Sequence, residues 1–123
     1  MTTIETLPTA WALLNNALRA RRPVEVLYHG RRRLICPHAL GWSKQRPIVL
    51  GYQTGGDTST GSLPADERKR WRCLFVDEIN EIVVPDPARP WGTADNYNHL
   101  HPFAGIDNVA VAVTPDDHSP TGH

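Results

Sequence analysis

Cysteine is scarce in this 123-residue chain: there are two, Cys36 and Cys73. Neither stands in a C-x-x-C pair, so the spacing of a structural zinc site is missing and no metal is expected. Phenylalanine occurs twice and methionine once. No stretch approaches the roughly 18 consecutive apolar residues that a membrane-spanning helix needs. The N-terminus lacks a basic region followed by an apolar run, the pattern of a secretory signal. Net charge is also absent, with 13 Lys+Arg against 13 Asp+Glu, so overall charge points to no partner. These absences lead us to expect a soluble cytoplasmic protein with reduced cysteines.

What is present is charge asymmetry. All the basic residues except Arg89 lie between Arg19 and Arg72, whereas eight of the acidic ones lie from Asp77 onward. A basic part followed by an acidic part fits an anionic partner for the former, or mutual neutralisation within the fold. Proline is frequent, at 11 residues, which implies much irregular chain.

Residues 8–22, "PTAWALLNNALRARR", read as one helix. Trp11, Leu14, Leu18 and Arg21 share a face, Pro8 suits a first turn, Thr9 is a cap candidate, and Pro23 stops the helix. Arg19, Arg21 and Arg22 then complement the helix dipole. "PVEVLYHG" alternates as a strand and turns at Gly30, and "RRRLICPHAL" returns as its hairpin partner. "RPIVLGYQT", "RWRCLFVDE" and "INEIVVPD" supply three more strands, and residues 54–68 form a long polar loop. After Pro85 periodicity fades, although "VAVAV" at 109–113 has strand character. The last ten residues read as disordered. The expected fold is mainly β: an N-terminal helix, then a small, strongly bent five-stranded antiparallel sheet or barrel (residues 1–86), then a largely irregular extension (87–123).

The stretches "LLNNALRARRPVEVLYHGRRRLICPHALG", "PIVLGYQ" and "WRCLFVDEINEIVV" together resemble the WYL domain family over roughly residues 9–86. The signature Trp-Tyr-Leu triplet is replaced by Pro47, Ile48 and Val49, with Leu50, Gly51 and Tyr52 continuing the pattern. On the last strand, Arg72, Asp77 and Ile79 match the family, but Phe75 and Glu78 stand where it has two further arginines. The resemblance implies an SH3-like or Sm-like barrel and a ligand-sensing or nucleic-acid-binding module, of the kind found in bacterial transcription regulators and around phage-defence systems. Such modules usually follow a helix-turn-helix domain; here a stand-alone module is expected.

The chemistry points the same way. Strand alternation puts Arg31 and Arg33 on one side and Arg32 on the other, with Tyr28 across the hairpin. Guanidinium forks on phosphates beside aromatic rings on bases are how single-stranded nucleic acid is commonly held. His38, Trp42 and Tyr52 extend the aromatic surface, although Trp42 and Tyr52 also suit a core or a barrel end, and His38 also suits a surface or hydrogen-bonding histidine. Arg72, between Trp71 and Cys73, either lines a polar pocket or pairs with Asp77 or Glu25. Tyr28, Arg31, Arg33, His38, Tyr52 and Arg72 are thus the candidate site for single-stranded nucleic acid or a nucleotide-like anion. His99 and His101 form an HxH pair without a motif-spaced third ligand. No base–nucleophile pair and no P-loop lysine are visible, so neither catalysis nor a cofactor is expected. The alternative is an interaction protein that self-associates, or pairs with a partner, through strand edges.

Overall fold

A computed structural model describes residues 2–3, 7–56, 63–85, 89–97 and 106–113. Helix α1 spans Leu7–Ala20. It buries Ala10, Leu14, Ala17 and Leu18, positions four, three and one apart that lie on one helical face. Thr9 lies inside the first turn rather than before it. The helix ends two residues earlier than the sequence pattern suggests. Arg21 adopts a left-handed φ of 53°, its N–H donates to Leu18 O, and the Arg22 N–H reaches Ala17 O. This pair of bonds satisfies carbonyls that a helix otherwise leaves open at its end.

The strands are β1 (Thr2–Thr3), β2 (Val24–Tyr28), β3 (Arg31–Ser43), β4 (Arg46–Gly56), β5 (Trp71–Phe75), β6 (Ile79–Val83) and β7 (Asn108–Ala112). They form one antiparallel sheet in the order β1-β6-β2-β3-β4-β5, with β7 added to β3. The mainly β character, the single N-terminal helix and the antiparallel pairing are as the sequence indicates. The sheet is not closed: β1 and β5 are its two ends. Two-residue turns join β2 to β3 and β3 to β4. Positive φ at both His29 and Gly30, and at both Lys44 and Gln45, is the mark of type I′ turns, whose twist matches that of a hairpin.

β3 organises the fold. Its first residues pair with β2, its last with β7, and nearly all of it with β4. Its register against β4 shifts between Leu34 and Ile35 and again between Pro37 and Ala39. The second shift leaves His38 as an extra residue, a bulge that also accommodates Pro37 inside a strand. Such shifts bend the strand, so β2, β3, β4 and β5 curl around one core. That core joins Leu14 and Leu18 of the helix to Val26, Ile35, Leu40, Val49, Leu74, Val76 and Ile82. A buried leucine or isoleucine contributes about 1.5–3 kcal/mol, so these residues hold the helix firmly to the sheet. Across the remaining opening, the Phe75 N–H donates to Tyr28 Oη at 3.1 Å, linking β5 to β2 by a side chain where strand pairing is lacking.

The chain after Pro85 does not trail away. Residues 91–97 lie over the outer side of β3, β4 and β5, and β7 docks against Ala39–Trp42. Among the described residues no helix is long and apolar enough to cross a membrane. Residues 57–62 of the polar loop and the last ten residues lie outside the described set.

Candidate functional site

The register decides which candidate residues meet. Tyr28 pairs with Arg31, Val26 with Arg33, Ile35 with Gln53, and Gly51 with Arg72. Directly paired residues point to the same side of a sheet, as do residues two apart on one strand. Tyr28, Arg31, Arg33, Gln53 and Arg72 therefore share the inner face, continuous with Val26 and Ile35. Arg31 is exposed at the rim, whereas Arg33 is only 7% exposed. The Arg33 guanidinium carbon sits 5.7 Å from the Tyr28 ring centroid, within cation–π range. Burial raises the Tyr28 pKa above its usual value, so the phenol is neutral and able to accept the Phe75 N–H.

Arg72 is half-buried and reaches along the same face. Its Nε donates to Gln53 Oε1 at 3.1 Å, and its Nη1 to Lys69 O and Trp71 O, both at 3.0 Å. Gln53 is itself buried and donates through Nε2 to Gly55 O at 3.0 Å. Arg32 points to the other side, where it meets Glu81 at 3.1 Å and Glu25 at 3.6 Å.

His38 and Tyr52 go elsewhere. Cys36 pairs with Tyr52, and Tyr52 with Trp71, all on the outer side, and both His38 and Tyr52 are buried. The His38 ring stacks on Trp91 with centroids 4.7 Å apart and meets the edges of Trp71 and Tyr97 at 4.8 and 4.9 Å. Tyr97 in turn stacks on Trp71 at 5.4 Å, and its hydroxyl donates to Val113 O at 2.8 Å. These rings form an aromatic cluster whose Trp91 and Tyr97 also pack against the main core. Its two members from the candidate list are separated from the arginine face by the thickness of the sheet.

One residue on the arginine side was not anticipated as functional. His29, in the β2–β3 turn, has a side chain 60% exposed and lies against the Tyr28 ring at 4.1 Å. Its Nε2 is hydrogen-bonded to Glu78. It is the accessible ring where Tyr28 is the buried one. The signal was the turn itself: a hairpin ending "YHG" must expose its first turn residue. Beside it, Arg46 lies 3.8 Å from the Phe75 centroid and binds Asp77 and Glu78 at 2.8 and 2.6 Å. These two carboxylates make the Arg46 guanidinium still harder to deprotonate.

A cleft of about 700 Å³ opens on the outer side, lined by Asp66, Glu67, Arg68, Thr93, Asp95 and Tyr97 among others. Arg68 is engaged by Asp95 through two bonds of 2.8 and 3.0 Å. Three carboxylates against one engaged guanidinium make this cleft unsuited to an anion. Among the described residues no group of three or more His, Cys, Asp or Glu side chains converges on a metal position; His99 and His101 lie outside the described set. Cys36 is buried, its thiol pushed up to about 11 by desolvation, whereas Cys73 is exposed on β5. No family model, curated protein or solved structure matches the chain.

Proposed function

We propose that this chain is a non-catalytic, WYL-like binding module on an SH3-like or Sm-like barrel arrangement, and that its ligand is anionic: single-stranded nucleic acid or a nucleotide. The observation that carries the reading is the set of partners around Arg72. Its donors go to an amide oxygen and two backbone carbonyls, all neutral groups. A half-buried guanidinium held by neutral acceptors keeps its full charge, and reduced solvent screening strengthens that charge toward an anion. Arg33 lies on the same face and Arg31 stands at its exposed rim. Arg31 makes first contact with the ligand, Arg33 and Arg72 hold it, and the stacked Tyr28–His29 pair offers the aromatic surface. His38 and Tyr52 support this face from behind rather than touching the ligand. The setting that the WYL resemblance implies is transcription regulation or phage defence in a bacterial cytoplasm.

Fluorescence polarisation with a labelled oligothymidylate tests the reading. Binding should weaken steeply with salt, and both the Arg31→Ala/Arg33→Ala double variant and Arg72→Ala should lose tenfold or more. A double variant that binds as well as the wild type overturns the assignment. The second reading, self-association or partner pairing through strand edges, draws on the two ends of the open sheet, β1 and β5. Light scattering coupled to size exclusion separates the two, since a strict monomer removes self-association.

A further inference from the structure

We infer that residues 91–97 form a strap that lifts from the sheet as a unit while the rest of the fold stays intact, and that it gates an aromatic floor of His38, Tyr52 and Trp71 together with the Cys36 thiol. The strap lies on the outer side of the sheet. It is independent of the anion-binding reading, which concerns the inner face.

The first argument is how the strap is held. Among the described residues, 91–97 make one backbone-to-backbone hydrogen bond, from the Tyr97 N–H to Ala94 O, and it lies within the strap itself. Every tie to the rest of the fold uses a side chain. The Gly92 N–H meets Cys36 Sγ at 3.3 Å, the Thr93 hydroxyl meets His38 Nε2 at 2.9 Å, and Asn96 Oδ1 accepts from Trp71 Nε1 at 2.8 Å. Asn96 Nδ2 donates to Arg68 O at 3.2 Å, Asp95 takes the Arg68 guanidinium, and the Tyr97 hydroxyl donates to Val113 O. On either side of the strap, β6 and β7 are fastened by their own pairing with β2 and β3. Lifting the strap therefore breaks no rung of the sheet. Segments held this way open at a lower free energy than the whole fold.

The second argument is the space beside it. The cleft of about 700 Å³ has residues 93–97 on one wall and 65–68 on the other. Its bridges are the Asn96 bond to Arg68 O and the Arg68–Asp95 pair, whose side chains are 63% and 72% exposed. Exposed pairs contribute little. The hold comes instead from the rings beneath. Trp91 stacks on His38 and Tyr97 on Trp71, and both also pack against the main core. This apolar burial keeps the closed form dominant.

The third argument is what the strap covers. A Cβ placed on Gly92 would lie 2.7 Å from Thr54 Cγ2 and 3.4 Å from the Tyr52 ring, so the Gly92 backbone rests directly on these side chains. Its N–H points at the sulfur of Cys36, which is fully buried. The strap thus shuts in the thiol. Trp91 fills the place against His38 that a planar ring from outside would take once the strap is raised.

The chain has two cysteines, so Cys73→Ser leaves Cys36 as the sole thiol, and its modification by 4,4′-dithiodipyridine at pH 7 reports the opening. Labelling should be at least about 100-fold slower than in the urea-unfolded chain. Below the unfolding transition it should change less than about twofold with urea, since a short strap exposes little new surface. Thr93→Val leaves His38 Nε2 unmet only in the closed form and should speed labelling about fivefold or more. Asn96→Ala, at an exposed position, is the milder variant and should speed it about twofold. Ile82→Val, in the core on β6, lowers the folding constant about two- to tenfold but should leave labelling unchanged, because its contacts persist when the strap is up. If labelling instead rises with urea at the slope of global unfolding, or tracks the folding constant of Ile82→Val, the thiol is reached only by unfolding and the strap is a fixed part of the fold. No acceleration in either strap variant, or labelling of the folded chain as fast as the unfolded one, overturns the inference equally. The anion-binding reading stands in every case.

Discussion

The Nε2 of His38 lies 2.9 Å from the hydroxyl oxygen of Thr93, 55 positions further along the chain. On the other side of the ring, Nδ1 lies 2.7 Å from Cys36 O. A carbonyl can only accept, so Nδ1 carries a proton. Burial keeps the ring neutral at pH 7, so Nε2 accepts from the Thr93 hydroxyl, and the ring joins the bulge of β3 to residues 91–97 by hydrogen bonds and by stacking on Trp91. Burial is the main cause that lowers its pKa to about 4.

This yields a pH dependence of stability. An unfolded histidine takes up a proton near pH 6.5, whereas the folded one resists until about pH 4. The stability tied to the neutral ring is fully present above pH 6.5 and is lost as pH falls through that window, because the unfolded state binds the proton first. The loss by pH 4 is about 3 kcal/mol. Urea unfolding of the wild type and His38→Gln across pH 7 to 4 checks this. The variant is less stable at pH 7, and the gap should shrink by about 3 kcal/mol toward pH 4. A gap that stays constant would mean that His38 is not held neutral by the fold.

Tyr28 gives a second prediction. Its hydroxyl accepts the Phe75 N–H at 3.1 Å, the side-chain tie between β2 and β5 across the open part of the sheet. Tyr28→Phe keeps the ring, and with it the contacts to Arg33 and His29, but leaves a backbone donor unmet. The expected cost is about 1–2 kcal/mol, with faster hydrogen exchange at the Phe75 amide. Unchanged exchange there would show that the opening is held by other contacts.

The sequence made the inner face legible and the outer face nearly illegible. A period of two divides Arg31 and Arg33 from Arg32, and the structure keeps that division, with Arg32 turned to Glu81 and Glu25. A period near four marks the buried side of α1. Both are local patterns that a reader of neighbouring residues can follow. His38 defeats such reading because it is a bulge: the extra residue between Pro37 and Ala39 breaks the alternation that would have oriented it. Its partners Thr93, Trp91 and Tyr97 come from a stretch with no periodicity of its own. Tyr52 was readable either as core or as site, and only the packing of Trp71 at 5.0 Å and of the cluster beyond it puts it inside. The β3–β4 turn is hidden in the sequence for another reason. Lys44 and Gln45 are poor turn residues, so "SKQR" carries no Gly or Asn to announce a hairpin.

That mismatch is itself testable. Lys44 and Gln45 hold left-handed φ values of 51° and 70°, where residues with a Cβ are strained and Asn-Gly is preferred. Lys44→Asn with Gln45→Gly should stabilise the protein by about 1 kcal/mol. The backbone bond from the Lys44 N–H to Asp107 Oδ2 at 2.6 Å does not depend on either side chain. The rise should appear as a higher urea midpoint with an unchanged slope. A fall would show that these side chains make contacts outweighing the turn strain.

Gly41 is the reverse case, a residue whose missing side chain is essential. It pairs with Val109, and a Cβ placed on it would lie 2.0 Å from Asn108 O and 2.6 Å from the end of Ile106. The first contact is with backbone, which cannot rotate away, so Gly41→Ala must push β7 off β3. The neighbouring links Val113 N–H to His38 O and Asp107 N–H to Trp42 O, both 2.8 Å, would stretch with it. Because β7 lies at the border of the sheet, the helix and the β2–β6 core should survive. The expected result is a loss of about 2–4 kcal/mol, with hydrogen exchange accelerated at Asn108–Ala112 and little changed in β2. Gly41→Ser should behave alike, since any Cβ meets the same oxygen. If exchange in β7 stays as slow as in the wild type, the strand does not approach β3 as closely as these distances require. If β2 exchanges equally fast, β7 is integral to the core instead of an addition at its border.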